Sequence, residues 1–209
     1  SSGKKRIIDD AADGGQSDSS TDENALQFCS AVQPARHLAH LSQALQRLGQ
    51  SWPDGESILS AGEDWPDAYR YTPMSPAHAL GCVVVFWDEK RGSPVFQVYH
   101  SMLFGLPNAV TSFNRWSKLA EALVRRLLFC LFSMYFDDST FQDWASSGPS
   151  GQRQIGELMR LLGSPWALDK SQPCASHGNF LGLQHDCSQA HRGVVTFWPM
   201  QRLVDKVRD

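Results

Sequence analysis

Paired cysteines are missing from this sequence. The five present, Cys29, Cys82, Cys130, Cys174 and Cys187, are scattered and odd in number, which argues against a disulfide framework and for a reducing, intracellular compartment, cytoplasmic or nuclear. No hydrophobic run is long enough to span a bilayer. The most apolar stretch, Leu127 to Phe136, follows Arg125 and Arg126 directly and falls well short of the ~20 residues a membrane helix needs, so no membrane partner is expected. No apolar segment of signal-peptide type follows the opening Ser-Ser-Gly and Lys4-Lys5-Arg6. Positive charge is also scarce: the formal net charge is -3, whereas phosphate binding draws on clustered Lys and Arg. The acids concentrate between Asp9 and Glu23 and between Glu63 and Asp67, which leaves room for a basic groove elsewhere. No internal repeat is visible.

What is present suffices for one core with loose ends, since 209 residues at 42% hydrophobic content leave little for a second full domain. Lys4 to Asp9 reads as a strand end, and the Gly/Ser/Asp-rich stretch to Asn24 as a mobile loop. Leu38, Leu41, Leu45 and Leu48 recur at helical steps before Gly49, which predicts an amphipathic helix over Pro34–Leu48. A short strand over Ser57–Ala61 leads into Glu63-Asp64-Trp65-Pro66-Asp67. Cys82–Trp87 and Val95–Tyr99 flank turn residues and predict a β-hairpin. Ala109–Phe129 carries a long helical pattern with Phe113, Trp116, Ala120, Leu123 and Leu127 on one face. Helices are also expected over Ile155–Leu162 and Met200–Val207, and strands over Trp166–Leu168, Phe180–Leu183 and Val194–Trp198. The sum is an α+β fold, an antiparallel sheet packed on helices.

Two acids, Asp137 and Asp138, interrupt what otherwise reads as a tight apolar hairpin, and a third, Asp64, stands at another strand's end. Such a set can hold Mg²⁺, which demands oxygen ligands, and two ions can clamp the attacking and leaving oxygens of a phosphoryl displacement. A polar turn for Asp137-Asp138 and a helix cap for Asp64 are the plainer alternatives. Cys174, His177, His185, Cys187 and His191 share a short window, but their spacing fits no standard zinc pattern. Arg115, Lys118, Arg125 and Arg126 could touch phosphates or merely coat a solvated helix face.

The order of these pieces resembles that of reverse transcriptases. Met134-Tyr135-Phe136-Asp137-Asp138 looks like the Tyr-x-Asp-Asp box of that family, and Asp64-Trp65-Pro66-Asp67-Ala68-Tyr69 with Pro73 looks like its first aspartate motif. Leu103-Phe104-Gly105-Leu106-Pro107-Asn108-Ala109 through Arg115 is similar to the Phe-Gly-Leu-x-Asn-Ala loop and helix of the retrotransposon enzymes. Lys5-Arg6-Ile7-Ile8-Asp9 is similar to a basic finger strand, Leu161-Leu162-Gly163 with Asp169-Lys170-Ser171 to the helix and lysine after the Asp-Asp box, and Phe180-Leu181-Gly182 to the primer-grip hairpin.

That resemblance implies a polymerase palm over residues 51–209, with a primer-grip-like C-terminal hairpin, preceded by a partial fingers segment and connecting helix over residues 1–50. It implies an RNA-directed DNA polymerase that adds deoxynucleoside triphosphates to a DNA or RNA primer on an RNA template. Asp64, Asp137 and Asp138, with the Trp65 carbonyl, would hold two Mg²⁺ or Mn²⁺ ions. Lys170 would protonate the leaving group. Lys5 and Arg6 would grip the triphosphate, Phe104 and Gly105 would flank the incoming base pair, and Tyr69 would exclude a ribose 2′-hydroxyl, although an ordinary buried tyrosine is the simpler reading of Tyr69 alone. No thumb, ribonuclease H or integrase segment is recognised, so a fragment of a retroelement protein is expected. The rivals are a catalytically silent palm that binds RNA or protein, and another phosphoryl-transfer enzyme such as a nuclease or cyclase.

Overall fold

The computed structural model describes residue 15 and residues 17–19, 26–67, 70 and 72–208. The expected strand at Lys4–Asp9, including Lys5 and Arg6, most of the polar stretch to Asn24, and Tyr69 lie outside the described residues. The elements begin with α1 (Gln33–Arg47), β1 (Ile58–Gly62), β2 (Val83–Asp88), β3 (Ser93–Val98) and α2 (Pro107–Leu127). They continue with β4 (Leu131–Tyr135), β5 (Asp138–Trp144), α3 (Ser150–Leu161), β6 (Gln172–Ala175), β7 (His177–Phe180), β8 (Leu183–Asp186), β9 (Thr196–Pro199) and α4 (Gln201–Arg208). Among the described residues no helix is long and apolar enough to cross a membrane. All five cysteines are free.

Contacts divide the chain into two compact units, one built on Asp67–Trp116 and the other on Gln27–Pro66 with Ser117–Asp209. The first holds the β2–β3 hairpin, paired from Val83 opposite Val98 to Asp88 opposite Ser93. Asp88 closes the turn by accepting the backbone N–H groups of Lys90 and Arg91 at 2.9 and 3.2 Å, the usual way an aspartate nucleates a turn. Cys82, Leu103, Leu106 and Ala109 form this unit's small core, with Met74, Val84, Tyr99 and Met102 packed against it.

The second unit carries an antiparallel sheet of order β4-β5-β1-β6 and a three-stranded sheet of order β7-β8-β9. Ile58, Phe132, Met134, Phe141, Ile155 and Met159 are fully buried here. A second cluster joins Leu38 of α1 to Ile58, Cys187 and Ala190. From Ser117 onward the buried residues of α2 are Ser117, Ala120, Glu121 and Val124, while Leu127 is 59% exposed. The apolar count had placed Leu127 on the buried face. The helix stops there because Phe129 turns left-handed (φ 55).

Two further expectations are corrected, and one strand, β6, is added. Trp166–Leu168 is no strand: the Ala167 N–H is spent on the Asp64 carbonyl at 2.9 Å, and a 3-10 helix over Leu168–Lys170 follows. Phe180–Leu183 is not one strand but a hairpin tip, with β7 ending at Phe180 and β8 starting at Leu183. The turn residues Leu181 (φ 48) and Gly182 (φ 83) are both left-handed, the geometry that matches strand twist in two-residue hairpins. The strand β6 had no signal in the sequence, because Pro173 cannot donate to a ladder and only an edge position tolerates it.

A polar chain crosses the inside of this unit. His37 Nδ1 lies 2.5 Å from Gln142 Oε1 and His37 Nε2 lies 2.8 Å from Ser133 Oγ. Gln142 Nε2 donates to Ser60 Oγ at 2.9 Å, and Ser60 Oγ lies 2.7 Å from His185 Nε2. The amide oxygen can only accept, so His37 carries its proton on Nδ1. Gly178 leaves room for this chain: a Cβ there would sit 2.6 Å from His185 Nε2 and 3.0 Å from Ser60 Oγ. Gly178→Ala should therefore cost about 2 kcal/mol, the range for overpacking, read as a lower urea midpoint at unchanged slope.

Candidate active site

The hairpin β4–β5 pairs Leu131 with Gln142 and Tyr135 with Asp138, leaving Phe136 and Asp137 as its two turn residues. Phe136 is left-handed (φ 50), an uncommon state for a bulky residue and one that neighbours must hold. They do so on two sides. Its ring packs 5.0 Å from Phe28 and 5.3 Å from Tyr135, and its carbonyl accepts the Ser117 hydroxyl at 2.7 Å.

β1 delivers Asp64 to the same place. Beyond its last ladder residue the chain continues as an isolated antiparallel bridge between Asp64 and Asp138. The Trp65 N–H donates to the Asp137 carbonyl at 2.9 Å, and the Ser139 N–H donates to the Glu63 carbonyl at 2.8 Å. The Ser139 hydroxyl closes the pair, lying 3.0 Å from that carbonyl and 2.9 Å from the Glu63 N–H. Trp65 anchors the segment: it is buried, stacked on Trp166 at 5.1 Å, and donates its indole N–H to the Ser164 carbonyl at 2.9 Å. The two acids are thus fixed by backbone pairing.

Their electrostatics follow from that crowding. Burial, then the charges of Asp64 and Asp137, push the Asp138 carboxyl up to about 7, although it accepts the Leu181 backbone N–H. Asp64 is ion-paired with Lys170 Nζ. Glu63 is also raised by burial, against hydrogen bonds from Gln152 Nε2 at 2.6 Å and Ser171 Oγ at 3.0 Å. A cavity of about 210 Å³ opens here, its lining including Asp64, Asp138, Lys170, Phe180, Leu181 and Gly182. The turn favours glycine at 182 by its left-handed backbone (φ 83), and a Cβ there would also press on Leu203 Cδ1 of α4 at 2.7 Å.

Of the residues singled out from sequence, Asp64, Trp65, Asp137, Asp138, Lys170 and the Phe180–Gly182 turn come together in the second unit. Phe104 and Gly105 (φ 89) belong to the first, in the loop before α2. Lys5, Arg6 and Tyr69 lie outside the described residues. Four polar side chains of the cavity were missed: Glu63, Gln172, Asn179 and Arg202. Glu63 had a signal in its place beside Asp64; Arg202 had none, because only the fold of α4 brings it here.

Among the described residues no group of three or more His, Cys, Asp or Glu side chains converges closely enough to hold a metal ion. The histidine and cysteine window disperses accordingly. Cys174 Sγ bonds Gln152 Oε1 at 3.3 Å, His185 is buried against Ser60, and His177 stands 3.8 Å from Asp186. Asp64 and Asp138 are the facing acidic pair.

Comparison with known proteins identifies the fold. The chain is similar to the foamy viral protease-reverse transcriptase in complex with dsDNA, at 16% identity over 72% of this chain and 28% of that one, with a TM-score of 0.55. It is also similar to the telomerase of Candida albicans in complex with a fragment of telomeric RNA, at 12% identity over 84% of this chain and 35% of that one, with a TM-score of 0.57. The apo telomerase of Candida tropicalis, truncated from its C-terminal domain, matches at 12% identity over 80% of this chain and 40% of that one, with a TM-score of 0.54. The chain therefore spans less than half the length of each of these. No family model and no curated protein matches it. The mixed fold of helices and antiparallel sheet is thus reverse-transcriptase-like and telomerase-like.

Proposed function

We propose that this chain is the palm, with part of the fingers, of an RNA-directed DNA polymerase that extends a DNA or RNA primer with deoxynucleotides. The observation that carries this reading is the bridge between Asp64 and Asp138 at the tip of the hairpin that also presents Asp137, within a fold shared by reverse transcriptase and telomerase. The palm is assigned to residues 51–209 and the fingers portion to residues 1–50. A retroelement source fits the motif order. Relatives in complex with dsDNA, RNA/DNA hybrid and telomeric RNA make nucleic acid the natural partner.

The donor chemistry suits a hard divalent cation: Asp64 and Asp138 face each other and offer oxygen only, and Asp138 is pushed up to about 7 first by burial and then by the charges of Asp64 and Asp137, a repulsion that a cation relieves. Asp64, Asp137 and Asp138, with the Trp65 carbonyl, would hold Mg²⁺ or Mn²⁺, whose chemistry when bound is to lower the pKa of the primer 3′-hydroxyl and to neutralise the departing pyrophosphate. The chain's own residues do the rest. Lys170 Nζ, ion-paired with Asp64, is the proton donor to the pyrophosphate oxygen in this reading. The Leu181 N–H holds the Asp138 carboxylate, and the Phe180–Gly182 turn seats the primer end beside it. Phe104 and Gly105 line the incoming base pair, Lys5 and Arg6 bind the triphosphate, and Tyr69 screens the 2′ position.

One observation favours a second reading, a palm that binds nucleic acid without polymerising. The Lys170 ammonium sits on Asp64, where a cation would otherwise be needed. Primer extension on an RNA template with Mg²⁺ and deoxynucleotides separates the two. Extension by this chain, or by a version lengthened at both ends, that disappears in the Asp137→Asn, Asp138→Asn double variant supports the polymerase. Retained RNA binding with no extension from either form establishes the silent module.

A further inference from the structure

We infer that the cleft between α1, α2 and the outer edge of β4 holds a single strand of nucleic acid by its phosphates, at a site separate from the Asp64–Asp138 cavity. The cleft encloses about 540 Å³ and is lined by Arg36, Lys118 and Arg125 against a single carboxylate, Glu121. Glu121 is already shared, 3.0 Å from Lys118 Nζ and 2.9 Å from Arg125 Nη1, so three cations against one acid leave an excess of two positive charges. His37 adds none at neutral pH, because burial pushes it down to about 4.

The wall is built rather than incidental. Arg125 donates to the Phe132 carbonyl at 2.6 Å and to Ser133 Oγ at 2.7 Å. Ser133 is fully buried and also bonds His37. The guanidinium is therefore fixed along β4. Arg36 stands on the exposed side of α1, and Lys118 and Arg125 follow one another by two turns on α2, so positive charge runs as a rail and not as a point. That suits a repeated phosphate.

Aromatic faces complete the match. Phe129, held left-handed at the end of α2, is 87% exposed, and Phe28 is 45% exposed. Both line the cleft. Basic groups interleaved with open aromatic rings are the equipment of single-strand binding, where bases stack without sequence readout. The chain's net charge of -3 makes this local excess more telling, since non-specific attraction by the whole molecule is absent. The inference does not rest on polymerase activity.

The test is fluorescence anisotropy of a labelled oligothymidylate with the full chain across a series of salt concentrations. The Arg36→Glu, Lys118→Ala variant should weaken binding at low salt by roughly tenfold or more and flatten the salt slope by about 1.4, since each phosphate contact on a single strand contributes ~0.7. Phe129→Ala should lower affinity severalfold without changing the slope. Arg36→Gln, a mild change on an exposed helix face, should flatten the slope by about half as much at an unchanged melting temperature. A wild-type slope in both Arg36 variants overturns the inference. So does inorganic phosphate competing as well, per phosphate, as the oligomer, which would mark a small-anion pocket.

Discussion

Asp138→Asn will make the protein more stable at pH 8 in metal-free buffer while removing primer extension. The carboxyl is pushed up to about 7 by burial and by Asp64 and Asp137, from an ordinary value near 4. The native state therefore keeps a proton that the unfolded chain has already released between about pH 4 and 7, and folding stability falls as pH rises through that window. Above it the whole penalty is present. A shift of this size corresponds to about 4 kcal/mol at most, and partial solvation of the cavity reduces the gain expected from the amide to about 2 kcal/mol. Urea unfolding of both proteins at pH 8 and pH 4.5 checks the sign: the variant's advantage should be present at the higher pH and shrink to about a quarter at the lower. An equal advantage at both would mean that packing, not charge, is responsible. The same substitution removes a carboxylate from the proposed metal site, so stability and turnover should move in opposite directions, a common trade at catalytic centres.

Acid will unfold the wild-type protein through His37 and His185. Both are buried, and burial pushes each down to about 4. Here the unfolded chain binds the extra proton, so stability is fully present above about pH 6.5 and is lost as pH falls toward 4. Each histidine can account for about 3 kcal/mol. His185 has an additional handicap, since among the described residues its buried Nδ1 has no hydrogen-bond partner and charging it would leave a desolvated donor unpaired. Asp138 opposes this trend, because its penalty disappears over much of the same interval. The wild type should therefore lose only a few kcal/mol between pH 7 and 4.5, and the Asp138→Asn protein distinctly more. Parallel curves for the two proteins would refute the compensation.

Much of this centre was legible before any coordinates. An Asp-Asp pair set into an apolar hairpin is a local contradiction, and the strands on either side, Leu131–Tyr135 and Asp138–Trp144, form with their middle residues buried on both faces. The helix α1 announced itself by period and by Gly49, and α2 by its period. What escaped were features whose cause lies elsewhere in the chain. Trp166 and Ala167 are apolar for the sake of Trp65, not because they form a strand. Glu121, which reads as a surface residue of an amphipathic helix, is buried to meet Lys118, Arg125 and the Met134 N–H. The latch between Glu63 and Ser139 joins residues far apart in sequence, and no periodicity encodes such a pair. The left-handed Phe136 reverses the usual expectation, for a turn of this kind favours Gly or Asn and here uses rings and a hydroxyl to hold a phenylalanine instead.

The edges of the four-stranded sheet bear on how the molecule behaves in crowded solution. An open strand edge is a template for another chain, and this sheet ends in β4 on one side and β6 on the other. At β6, Pro173 interrupts the row of donors. At β4, Cys29 Sγ reaches the Met134 carbonyl at 3.3 Å and Phe28 covers Tyr135, so the segment before α1 acts as a guard rail against self-association. Clipping the chain just before Gln33 would bare that edge, and the shortened protein should form sheet-rich oligomers at concentrations where the intact one stays dispersed.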